Sequence, residues 1–137
     1  MINKLTHLCI YTLDQNSARD FYVNKLGFKV HTDEPMGEDF RWLTVTPPDQ
    51  PELEISLMEL KAGMMFDEES AAAFRTLVKK GKLGVGVLET PDVHKTYEEL
   101  KAKGVNFRGE PKEQFYGTEV ILEDDSGNWF SVTQRKA

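Results

Sequence analysis

What this chain lacks narrows its class before anything it contains. Basic residues are outnumbered, 17 Lys and Arg against 23 Asp and Glu, which gives a net charge of −6. No basic stripe interleaved with aromatics occurs, so the charge balance argues against a phosphate-backbone partner and no nucleic acid is expected. The one cysteine, Cys9, precludes an internal disulfide framework. The opening MINKLTHLCIY has no signal-like apolar core, and no stretch approaches the roughly twenty apolar residues of a membrane span. The expectation is therefore a soluble cytoplasmic protein with no membrane partner. A serine-histidine-acid order, a phosphate-cradling glycine loop and a CxxC motif are also missing.

What is present is a repeat. In Thr6 to Phe28, His7, Cys9 and Tyr11 alternate with Leu8, Ile10 and Thr12, the period of a strand. Asp14 is then placed to cap a helix whose buried stripe is Ala18, Phe21, Tyr22 and Leu26, and Gly27 ends it. Residues 83 to 107 repeat this order. An apolar strand is followed by Thr90 as cap with Pro91 at the first helical position, a stripe of Val93, Tyr97 and Leu100, and Gly104 as the stop. The two stop glycines lie 77 positions apart and the two helix-start aspartates, Asp14 and Asp92, 78 apart, so the chain reads as a tandem duplication.

Between the copies, Lys29 to Asp33 continues as a strand, and Glu34 to Gly37 reads as a turn. Phe40 to Thr46 alternates until Pro47 and Pro48 stop it, and Leu53, Ile55 and Leu57 alternate with Glu54, Ser56 and Met58. Asp67 opens a helix with acids in its first turn and lysines in its last, closed by Gly81. In the second copy GEPKEQFYG is turn-rich, residues 118 to 123 alternate, residues 124 to 128 form a tight turn, and residues 129 to 134 form the last strand. The fold class expected is α+β. Two tandem βαβββ modules form one domain over 1–137, with module one at about 1–61, a connector helix at about 66–81 and module two at about 82–137.

This repeat, with LGF after the first helix and GNWF near the end, resembles the glyoxalase / bleomycin-resistance / dioxygenase superfamily, the vicinal oxygen chelate proteins. The resemblance implies sheets curled into half-cups, a homodimer that completes the cavities, and in family enzymes a divalent metal held by one residue from the first and one from the last strand of each module. Carried over position by position, His7 matches the first ligand and Glu54 the usual carboxylate. The second module offers Val85, or Gly84 if the register slips by one, and Ser131. Neither Val nor Gly supplies a side-chain ligand and a neutral serine is a poor one, so the implied centre is degraded. No cofactor is expected, with a divalent metal as the alternative.

Other residues are weighed against plainer roles. Arg41 is a candidate to hold an anionic group, although an exposed strand arginine is the commoner outcome. Trp42, Met58, Phe115, Tyr116 and Trp129 are candidates to line a cavity for an aromatic or apolar ligand, against ordinary core and hairpin packing. Glu54 is the candidate catalytic base, or a solvated rim charge. Cys9 reads as a small buried residue, and His31 and His94 as surface residues. The function expected is small-molecule binding in the sheet cavity. Metal-dependent lyase, isomerase or dioxygenase chemistry, and sequestration of a drug or toxin, are the alternatives.

Overall fold

The computed structural model describes residues 1–137. Two compact units divide the chain, Met1–Thr76 and Leu77–Ala137. In the first, β1 (His7–Thr12) leads into helix α1 (Gln15–Arg19), which continues as π-helical turns over Asp20–Lys25. Strands β2 (Lys29–Pro35), β3 (Arg41–Thr46) and β4 (Glu54–Glu59) follow, and the sheet order is β1-β4-β3-β2. β1 runs parallel to β4, whereas β4, β3 and β2 are antiparallel neighbours. This is the expected βαβββ path.

The Asp14 carboxylate accepts from the Ser17 amide at 3.0 Å, which fixes where the helix begins. The helix does not remain α-helical. Leu26 N–H donates to Phe21 O and Phe28 N–H to Tyr22 O, so the closing turns are wider than an α-turn. Widening lets two consecutive aromatics face inward. Phe21 and Tyr22 are both buried and meet edge-on, with centroids 5.1 Å apart. Ile10, Leu43, Val45, Ile55 and Leu57 are buried on the sheet, and burying side chains of this size contributes about 1.5–3 kcal/mol each.

Helix α2 (Glu68–Lys79) contains the boundary between the units, and Asp67 caps it by accepting from the Ser70 amide at 2.6 Å. The second unit then repeats the path. It comprises β5 (Gly84–Glu89), helix α3 (Val93–Ala102), β6 (Asn106–Phe107), β7 (Lys112–Gln114), β8 (Gly117–Glu123) and β9 (Trp129–Arg135). Its sheet order is β5-β9-β8-β6, with β7 also paired to β8.

Three expectations are corrected here. Asp92 caps α3 by accepting from the Lys95 amide, and Thr90 instead accepts from the Asp92 amide, so the helix starts two residues later than a Thr90 cap implies. Strand β2 extends through Pro35, where a turn was expected from Glu34. The polar stretch Lys112–Gln114 is a short strand on β8, although it lacks the apolar alternation that announces one.

Candidate functional site

Parallel pairing of β1 with β4 sets His7 opposite Glu54. His7 Nε2 lies 2.8 Å from Glu54 Oε2, and its Nδ1 lies 2.8 Å from the Thr6 hydroxyl. A third strand adds to the cluster. The register of β2 on β3 shifts between Val30 and Thr32, and His31, at that irregularity, brings Nδ1 to 3.0 Å from Glu54 Oε1. Thr44 donates its hydroxyl to the same oxygen at 3.0 Å. Glu54 is mostly covered, at 17% side-chain exposure, while both imidazoles stay about half open to solvent. The carboxylate thus has three polar neighbours and needs no bound ion to offset its desolvation.

That geometry bears on a metal. A ring nitrogen that donates to Glu54 has no lone pair left for an ion, and His7 and His31 face opposite oxygens of the carboxylate. No group of three or more His, Cys, Asp or Glu side chains is placed to hold a metal ion. In the second unit the ladder sets Gly84 opposite Trp129, as His7 stands opposite Glu54, while Ser131 faces Val87. The Trp129 indole fills the space that a Gly84 side chain would enter, and the Arg108 guanidinium lies 5.6 Å from its centroid. Ser131 donates to Glu119 at 2.6 Å and lies 2.7 Å from the Thr133 hydroxyl. The residues present do not fit the four-ligand centre that the resemblance implies.

At the opposite end of β4 a cleft of about 370 Å³ opens, with Met58 and Arg41 in its lining. Arg41 is held within the chain. Its Nε and one terminal nitrogen donate to the two oxygens of Asp33 at 2.8 and 2.9 Å, and the other donates to Asn16 at 2.7 Å. The Arg41 hydrogen bond is the main cause that holds the Asp33 carboxyl below its ordinary range, and the same bond raises Arg41. Trp42 stacks on Phe40 of the lining, with centroids 6.3 Å apart and planes at 26°. Tyr116 lies in the second unit, in a hollow of about 280 Å³ with Glu119 and Ser131, and its hydrogen bond to Glu119 is the first cause raising its pKa. Phe115 is exposed beside it, with ring centroids 5.0 Å apart.

The candidates therefore separate by place. His7 and Glu54 come together, Arg41 and Met58 line the cleft, Trp42 lies outside its lining and stacks on Phe40, and Tyr116 and Trp129 belong to the second unit. Cys9 is exposed, which corrects its reading as buried: β1 is the edge strand and Cys9 shares its open face with His7. His94 is exposed. Sequence reasoning missed His31 as a Glu54 partner, Gln15, and the cleft methionines Met36, Met64 and Met65. Only the unusual count of methionines near positions 36 and 58–65 signalled the last of these.

Duplicated βαβββ units, each with a helix packed by one sheet face, define a class of fold rather than a reaction. The chain belongs to the glyoxalase/bleomycin resistance protein/dioxygenase superfamily, whose profile matches residues 4–132. It is 34% identical over 134 residues to the uncharacterized protein YetH of Bacillus subtilis, covering 98% of this chain and 100% of that protein. Among solved structures it is similar to UcmS2, at 47% identity and TM-score 0.91, covering 97% of this chain and 98% of that one. It is also similar to TnmS3, an antibiotic binding protein from Streptomyces sp. CB03234, at 27% identity and TM-score 0.75, with 98% of each chain covered.

Proposed function

We propose that this protein binds and sequesters a small molecule at the first unit's cleft, without a metal centre. The observation that carries this reading is the contrast along β4. Glu54 at one end has its oxygens engaged by His7, His31 and Thr44, whereas the Met58 end borders a cleft open to a ligand. The likeness to TnmS3, which its description names an antibiotic binding protein, supports binding over turnover. In the same reading both modules act as one domain, in a cytoplasmic homodimer. The exposed apolar side chains of Val87 and Phe115 support self-association.

A thermal-shift screen against a library of aromatic antibiotics tests this, because a ligand of the folded state raises the unfolding midpoint by mass action. Hits that quench tryptophan fluorescence saturably, with the compound recovered unchanged, support the reading. Steady conversion of the compound refutes it.

A second reading is a lyase, isomerase or dioxygenase-like enzyme with Glu54 as general base. It is favoured by one observation, the half-exposed imidazole pair on a mostly covered carboxylate. Turnover abolished by Glu54→Gln with the fold intact would establish it.

A further inference from the structure

The cleft identifies the chemistry of its ligand. Four of the chain's five methionines line it, from three separate stretches. Met36 follows β2, Met58 lies on β4, and Met64 and Met65 precede α2. Met58 is 5% exposed and forms a buried wall, while Met36, Met64 and Met65 are 58%, 75% and 55% exposed. Methionine is normally among the buried residues, so three exposed thioethers around one opening are unexpected as packing. Their flexible, polarizable side chains conform to irregular ring systems and favour aromatic contacts.

The polar groups in the cleft complete the description. Gln15 is 8% exposed, and its amide nitrogen donates to Leu57 O at 2.8 Å and to Arg41 O at 3.1 Å. Both amide hydrogens are thereby occupied, which fixes the group and leaves Oε1 as an acceptor. Asp39, also in the lining, forms no ion pair, whereas the charges of the cleft's two cations are balanced, Arg41 by a two-pronged bond to Asp33 and the half-exposed Lys61 by Glu59 at 3.5 Å. The cleft therefore offers acceptors, and with both cations balanced Asp39 leaves it a negative bias.

Resting on the binding reading above, we propose that the cleft takes a polarizable aromatic ring system bearing a hydroxyl or amino donor. The rings lie against the methionine thioethers and the donor is accepted by Gln15 Oε1. Asp39 favours neutral or cationic members of the class and disfavours aromatic carboxylates and sulfonates.

Fluorescence titration with 1-hydroxypyrene, 1-methoxypyrene and 1-pyrenesulfonate tests this without altering the protein. The hydroxyl compound is expected to bind about tenfold or more tighter than the other two, one lost hydrogen bond being of that order. The doubly substituted Met64→Gln, Met65→Gln protein, changed only at exposed side chains, is expected to lose about tenfold in affinity for 1-hydroxypyrene, and Met64→Leu, Met65→Leu about threefold or less. Thermal midpoints close to the parent protein's verify folding. Equal affinity for the hydroxyl and methoxy compounds, affinity unchanged by the double Gln substitution, or no binding of any probe overturns the inference. The antibiotic screen judges the broader binding reading separately, since saturable binding there that ignores Met64 and Met65 upholds it while refuting this ligand class.

Discussion

The two units follow one chain path but furnish it differently. At matching ladder positions the first places His7 against Glu54 and the second Gly84 against Trp129. The connections between the last two strands differ as well. In the first unit Pro47, Pro48 and backbone bonds such as Leu53 N–H to Gln50 O form the turn. In the second a buried carboxylate forms it, since Asp124 Oδ1 accepts from the amides of Ser126, Gly127 and Asn128, each at 2.9 Å. Duplication preserves the backbone scaffold, while the side chains at this ladder position and in this turn diverge.

The largest expected effect lies in that turn. Asp124→Ala strips three buried amides of their acceptor and should lower unfolding free energy by about 3 kcal/mol, whereas Asp49→Ala in the exposed first-unit turn should change it by less than about 0.5. Urea unfolding measures both, and equal effects would show that the two turns are held alike. Next comes the ladder contrast. A methyl group at Gly84 would stand 2.5 Å from the Trp129 ring, so Gly84→Ala should destabilise by roughly 1–3 kcal/mol. His7→Ala removes a half-exposed pair at the matching position and should alter stability by less than about 1 kcal/mol.

The Asp33–Arg41 pair gives the first unit an acid-sensitive element. Because Arg41 lowers the carboxyl's folded-state pKa, the added stability is present above the unfolded aspartate value, near about 4. It is lost as pH falls through the depressed folded value. Asp33→Asn should remove about 1 kcal/mol of stability at pH 7 and little at pH 2, as read from denaturation midpoints across that range. A loss of the same size at both ends would contradict the pairing.

An effect of opposite sign is expected at Ser56, whose hydroxyl is buried on β4 without a hydrogen-bond partner. Ser56→Ala should be neutral or stabilising by up to about 1 kcal/mol. Clear destabilisation would mean that the hydroxyl has a partner, such as bound water.

Much of the scaffold was legible because it depends on local rules. Period-two alternation marked β1, β3, β4 and β8, and Asp14, Asp67, Gly27 and Gly104 marked helix ends through capping and left-handed backbone. The π-helical widening after Arg19 was not legible, since Phe21 and Tyr22 fit an α-helical stripe nearly as well as a wider turn. Nor was His31 legible as a Glu54 partner, for regular alternation says nothing of the register shift that accompanies it. His7 and Glu54 could be paired from sequence only through a family resemblance. The cleft required three distant segments to converge, which no local pattern encodes.

The central claim is that the first unit binds its ligand without a metal. Metal analysis of the purified, tag-free protein, followed by thermal-shift titration with Mn²⁺, Fe²⁺, Co²⁺, Ni²⁺ and Zn²⁺, tests it most directly. The account predicts substoichiometric metal and midpoints that respond no differently in His7→Ala or Glu54→Gln than in the parent protein. Near-stoichiometric metal, lost together with the thermal shift in both variants, would contradict it.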